Sequence, residues 1–80
     1  MSHKMNLYPF DEVLRRASDF ANRGIDVYQQ FNCEHCGAKQ TMPDRNTMYE
    51  LGTCEECGKE TDIKKNGCNY LLGFHLRNGP

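Results

Sequence analysis

Two short segments, Cys33-Glu34-His35-Cys36-Gly37 and Cys54-Glu55-Glu56-Cys57-Gly58, constrain this chain more than any other feature of it. Each sets two thiols three positions apart and follows them with a glycine, and 17 residues separate Cys36 from Cys54. Two cysteines at that spacing grip one metal ion when the chain turns tightly between them, and two such grips supply four tetrahedral ligands. A glycine after each pair can adopt a positive φ. That lets main-chain N–H groups point at the sulfurs, and such hydrogen bonds spread the charge of a four-thiolate site. The separation falls inside the window for zinc sites built from two cysteine pairs. Cys33, Cys36, Cys54 and Cys57 are therefore the expected ligands of one structural Zn²⁺, with no position left open for a catalytic water.

Composition explains why such a site is needed. A chain of 80 residues with 38% hydrophobic and no Trp buries only roughly 60% of its extended surface on folding. Chains of this size usually depend on disulfides, a metal or a partner subunit, and five cysteines point to the first two. Iron in a rubredoxin-like site requires the same four thiolates, so spacing alone leaves it open, as it leaves open redox chemistry at a C-x-x-C pair or two disulfides. No apolar run approaches the length of a membrane span. Met1–Phe10 lacks the apolar core of a secretory leader, so the expected location is a reducing cytoplasm. The formal net charge is -1, and four thiolates around one Zn²⁺ take it to about -3. Affinity for nucleic acid that depends on releasing phosphate counterions is weak for such a balance, a local basic patch excepted.

The two cysteine units form a short repeat. Cys33–Thr41 lines up with Cys54–Thr61 when Ala38 is skipped, and each copy then carries a lysine past its turn, Lys39 or Lys59, placed to offset thiolate charge. The two CxxCG units, on what read as neighbouring hairpins, resemble the zinc ribbon family. The resemblance covers roughly residues 27–74 and leaves the N-terminal segment outside. It implies a small antiparallel sheet whose metal ligands are Cys33, Cys36, Cys54 and Cys57 and no other position. The chain is similar in character to small zinc-ribbon proteins of bacteria and their phages. Zinc ribbons serve transcription, translation, DNA processing and protein interaction, so the resemblance implies the metal and not the biology.

Around this core the chain reads as a small α+β fold. Met1–Leu7 is expected to be a loose leader. Phe10, Val13, Leu14, Ala17, Phe20 and Ala21 repeat at the spacing of one buried helical face over Tyr8–Asn22. Pro9 suits the first helical position, Asp11 and Glu12 face the positive end of the helix dipole, and Gly24 suits a left-handed stop. Val27–Phe31 alternates as a strand, Lys39–Met42 returns, Pro43-Asp44-Arg45-Asn46 reads as a turn, and Thr47–Thr53 reads as a third strand. Asn66-Gly67 predicts a tight hairpin between Thr61–Lys65 and Cys68–Phe74, which would pair Lys65 with Cys68 and Ile63 with Tyr70. The expected architecture is a single domain over 1–80: a helix at 8–23, then a zinc-stapled antiparallel sheet of three to five strands over 27–74, with a frayed tail at 75–80.

Several residues invite a functional role and have plainer explanations. Cys68 opens the alternating set Cys68, Tyr70, Leu72, Phe74 and reads as a buried structural thiol. His35 lies inside a cysteine turn and is expected to point to solvent; His3 and His75 receive no role. Arg15, Arg16 and Arg23 form the basic feature of the helix, yet each follows an acid at i−4 (Asp11, Glu12, Asp19), a pairing that supports an exposed helix by about 0.2–0.5 kcal/mol each. Lys64-Lys65 could touch phosphate, and Tyr28, Tyr49, Tyr70 and Phe74 could stack on bases, although so thin a core needs aromatic side chains for packing. No catalytic triad, Cys/His pair, phosphate loop or separated carboxylate pair is present, so no enzymatic activity is expected. The expected function is a zinc-binding interaction module, a regulator, adaptor or inhibitor of a larger protein. The alternative is a nucleic-acid-binding ribbon that assists transcription or DNA metabolism.

Overall fold

The computed structural model describes residues 6–73. His3, Lys4, Phe74, His75 and the tail lie outside the described residues. The order of elements is α1 (Phe10–Asn22), β1 (Asp26–Asn32), β2 (Lys39–Arg45), β3 (Leu51–Thr53), β4 (Glu60–Asp62), a single helical turn α2 (Ile63–Asn66) and β5 (Asn69–Gly73). Two antiparallel sheets result, one ordered β2-β1-β5 and the other a β3-β4 pair. The α+β expectation is met, with five strands.

The helix forms where the 3.6-residue pattern places it. Pro9 sits one position earlier than expected, as the residue before the first turn, with φ -54° and ψ 141°. Phe10, Val13 and Ala17 are buried. The buried stripe is narrower than the periodicity implies, because Leu14 remains 41% exposed and Phe20 and Ala21 are only half-buried. Gly24, at φ 84°, ends the helix as expected. Its N–H donates to the Ala21 carbonyl and the Ile25 N–H to the Phe20 carbonyl, each at 3.0 Å, which is the paired Schellman closure.

β1 is the central strand of the larger sheet and almost wholly buried. Its partner β2 runs straight through the expected turn at Pro43. Gln30 pairs with Thr41 and Tyr28 with Arg45, so Met42, Pro43 and Asp44 together oppose Gln29. A bulge is one of the few places in a sheet where a residue without an N–H costs no ladder bond. The reversal falls instead at Asn46, at φ 55°, whose side chain accepts from the Val27 N–H at 2.9 Å.

The third strand is shorter than the alternation suggests because a side chain takes over its first half. Gln29 is 1% exposed. Its amide donates to the Tyr49 carbonyl at 2.9 Å and accepts from the Tyr49 N–H at 2.9 Å. A buried amide thus stands in for a neighbouring strand, leaving Leu51–Thr53 to pair with β4.

The hairpin expected at Asn66-Gly67 does not form. Asp62 caps a helical turn, accepting from the Lys65 N–H at 3.1 Å, and the Asn66 side chain donates to the Asp62 carbonyl at 2.8 Å. β4 is already paired with β3, and the turn carries the chain to the far edge of β1, where Tyr70 pairs with Gln29 rather than Ile63. Gly67, at φ 89°, is required there because a Cβ would lie 2.7 Å from the Tyr8 carbonyl oxygen. Tyr8 and Cys68, the residue after Gly67, exchange main-chain hydrogen bonds of 2.8 and 3.0 Å.

Phe10, Val13, Phe31, Ile63 and Cys68 make the core, edged by Tyr8, Met42, Met48 and Tyr70. Gly52 lets the smaller sheet settle on it, since a Cβ there would lie 2.7 Å from the Phe31 ring and 2.9 Å from Ile63. Gly52→Ala should therefore cost about 1–3 kcal/mol through overpacking, read as a lowered denaturation midpoint with metal content unchanged. A midpoint equal to that of the parent protein would contradict this packing.

Candidate metal centre

Each CxxCG unit closes a tight turn with the same hydrogen bonds. The Gly37 N–H donates to the Cys33 carbonyl and the Cys33 N–H to the Ala38 carbonyl, each at 2.9 Å. Gly58 to Cys54 and Cys54 to Lys59 repeat both bonds at 2.9 Å. Gly37 and Gly58 adopt φ 80° and 75°, as the need to turn main-chain N–H groups onto sulfur predicts. Those groups arrive: the His35 and Cys36 N–H groups point at the Cys33 sulfur at 3.4 Å, and those of Glu56 and Cys57 at the Cys54 sulfur at 3.3 and 3.4 Å.

This geometry corrects the repeat. The turns superimpose without a gap, so Ala38 corresponds to Lys59, and Lys39 to Glu60. The two lysines are not equivalent, and both are exposed. The matching positions that matter are Gln40 and Thr61, each seven residues past its first cysteine. Thr61 accepts from the Glu34 N–H at 3.0 Å, and the Gln40 side chain accepts from the Glu55 N–H at 3.2 Å. Each hairpin thereby caps the cysteine turn of the other. Gln40 also donates to the Cys54 sulfur at 3.5 Å. Glu34 accepts from the Asp62 N–H at 2.9 Å. These reciprocal caps were not foreseen; the signal was a polar residue at the same offset in both copies.

The structure brings Cys33, Cys36, Cys54 and Cys57 together, with all four sulfurs within 4.8 Å of one another. Two cross-hairpin pairs, Cys33–Cys57 and Cys36–Cys54, are 3.6 Å apart. A tetrahedron with metal–sulfur bonds of about 2.3 Å has edges of about 3.8 Å, so the cluster matches the size of a bound ion. In each turn the first cysteine is buried and the second exposed.

Electrostatics point the same way. Without a cation the Cys33 thiol is held low, at about 6: burial opposes its ionisation, but the N–H groups of Cys36 and His35 and the neighbouring thiols outweigh it. Cys36 is pushed up to about 12, because its hydrogen bond from the Ala38 N–H is outweighed by the Cys54 sulfur and by burial. Cys57 is raised too, the Lys59 N–H being outweighed by burial and by Cys33. Four sulfurs this close ionise together only around a cation. The donor set fits a thiophilic metal ion.

His35 is exposed and outside the cluster, but it is not idle: its ring N–H donates to the Glu60 carbonyl at 3.0 Å, adding a further tie between the hairpins. Cys68 is fully buried. Its sulfur lies 3.9 Å from the Gln29 amide, and burial pushes its thiol up, so it is a packed thiol rather than a reactive one. Among the described residues no helix is long and apolar enough to cross a membrane.

Substitution separates the cysteines. Cys54→Ser should lose most metal affinity, whereas Cys68→Ser should keep metal at full occupancy and cost about 1–3 kcal/mol for burying a hydroxyl. Equal metal loss in both variants would contradict the ligand set. Occupancy should also fall as pH is lowered, because protons compete with metal for thiolates; metal analysis after dialysis across a pH series reads this, and retention independent of pH would contradict it. No protein-family model, curated protein or solved structure matches the chain, and the cysteine cluster is therefore the firmest guide to its chemistry.

Proposed function

We propose that the cluster holds one structural Zn²⁺ in a zinc-ribbon centre and that the protein is a non-enzymatic interaction module acting on a larger protein. Four thiolates complete the shell of a zinc ion and leave no site for substrate or water, which is the chemistry of a structural centre. Its role is to fix two hairpins and the surface they present.

The observation that favours a protein partner over nucleic acid is the charge balance: the chain carries a net charge of -1, and four of the eight basic side chains among the described residues sit in ion pairs. Arg16 is 2.5 Å from Glu12, lies over the Tyr8 ring at 5.1 Å and is held further by the Tyr70 hydroxyl. Arg23 pairs with Asp19 at 3.0 Å, Arg45 with Asp26 at 3.6 Å and Lys64 with Glu50 at 3.9 Å. Of the three helix pairings expected from sequence, Asp11–Arg15 alone is not made. Two of the aromatic candidates are engaged as well: the Tyr70 ring is 5.7 Å from Phe20 and the Tyr49 hydroxyl donates to Asp44. Around the cysteine turns Glu34, Glu55 and Glu56 are exposed alongside Lys39 and Lys59, and a zinc tetrathiolate there adds two formal negative charges. A phosphate backbone meets repulsion there.

Titration of labelled DNA and RNA across a salt series tests this reading. Binding near physiological ionic strength should be weaker than about 1 µM, since a net charge of -1, made more negative by a loaded thiolate centre, opposes a polyanion. Submicromolar affinity at that salt, reduced by Arg15→Ala or Lys65→Ala, would overturn the interaction-module reading in favour of a nucleic-acid-binding ribbon.

A further inference from the structure

Between β2 and β3 lies a cleft of about 400 Å³. The two strands belong to different sheets and are not hydrogen-bonded to each other. Each is an edge strand, and the edges that face away from their hairpin partners border this cleft. The direction of their main-chain groups follows from the cysteine turns. Cys33 bonds to Ala38 and Cys54 to Lys59, and antiparallel pairs alternate between bonded and non-bonded residues. With Phe31 opposite Gln40 and Gly52 opposite Thr61, alternation turns the N–H and C=O groups of Thr41 on β2, and of Leu51 and Thr53 on β3, away from their own hairpins.

Three properties of the cleft select its occupant. Its walls offer strand-edge main-chain groups from two sides, which suits an extended chain. Met42 and Leu51 supply apolar surface, and Leu51 is 50% exposed, the most exposed of the large hydrophobic residues described. Asp44 and Glu55 stand among the lining residues, with no lysine or arginine. The Gln40 bond to Glu55 marks one end and the Tyr49 bond to Asp44 the other. The regular edge on the β3 side, Leu51–Thr53, spans about 7 Å at ~3.3 Å per residue, room for about three residues.

We infer that this cleft receives an extended segment of a partner protein in which apolar and basic side chains alternate. The inference rests on the interaction-module reading and gives it a surface. The apolar side chains of the segment pack on Met42 and Leu51, its main chain extends the strand edges, and its cations sit by Asp44 and Glu55. A nucleic-acid strand meets the wrong charge at the same place.

The test uses the zinc-loaded full chain, labelled with ¹⁵N and titrated with two capped seven-residue peptides, one alternating lysine with valine and the other glutamate with valine. The lysine peptide should produce saturable shifts at the amides of Thr41, Met42, Leu51 and Thr53, with the glutamate peptide at least about tenfold weaker. Leu51→Asp should abolish those shifts while metal content and spectral dispersion stay unchanged, and Glu55→Lys should weaken the lysine peptide and favour the glutamate one. Equal response to both peptides, shifts confined to another face, or no saturable shift would overturn the cleft as the docking site. A protein partner footprinted on the helix would overturn it too while leaving the interaction-module reading intact; tight nucleic-acid binding, measured separately, is what removes that broader reading.

Discussion

The two hairpins of this protein meet at four sulfur atoms, and the rest of the fold is arranged around that meeting. β1-β2 and β3-β4 lie in separate sheets without a shared ladder. Polar ties join them: Thr61 to Glu34, Gln40 to Glu55, Glu34 to Asp62 and His35 to Glu60. Apolar contact adds the packing of Phe31 against Gly52 and Ile63. Individual hydrogen bonds of this kind contribute about 0.5–1.5 kcal/mol net, whereas a zinc ion in a small tetrathiolate domain contributes about 10–16 kcal/mol at neutral pH. The reciprocal caps join the two hairpins; a metal ion at the four sulfurs would supply most of the energy that holds them together.

Some of this arrangement was legible in the sequence because its signals are local. A 3.6-residue apolar repeat ending in Gly24 marks a helix through short-range spacing alone. The CxxCG units likewise carry their own turn, with the glycine, the N–H groups and the sulfurs all inside five residues. The errors came where a distant contact overrode a local preference. Asn66-Gly67 has the chemistry of a hairpin turn, but β4 already has β3 as its partner and Asp62 caps a helical turn across those residues. Pro43 has the chemistry of a loop, yet it sits in a bulge opposite Gln29. Gln29 itself is an unremarkable polar residue in sequence, and only the fold shows that it replaces a strand for Tyr49. Leu14 fits the helical stripe but stays outside the core, which shows that periodicity gives the direction of a buried face and not its width.

The distribution of charge then distinguishes the helix from the cysteine turns. On the helix, two of the three arginines are neutralised by their own neighbours, so the basic cluster that stands out in sequence is largely a self-contained feature of the fold. Around the cysteine turns the acids are exposed and the centre itself is anionic when loaded. With acids exposed at the cysteine turns and Asp44 and Glu55 lining the cleft between the strand edges, the proposed partner is a basic extended segment rather than a polyanion.

The central claim is that metal at the four cysteines holds the two hairpins together. Metal analysis and amide hydrogen exchange on one sample, before and after chelation, test it directly. The account predicts one zinc per chain, and loss of protection in both β1-β2 and β3-β4 when the metal is removed. A chain that contains no metal as purified, or that keeps the protection of both hairpins after chelation, would contradict it.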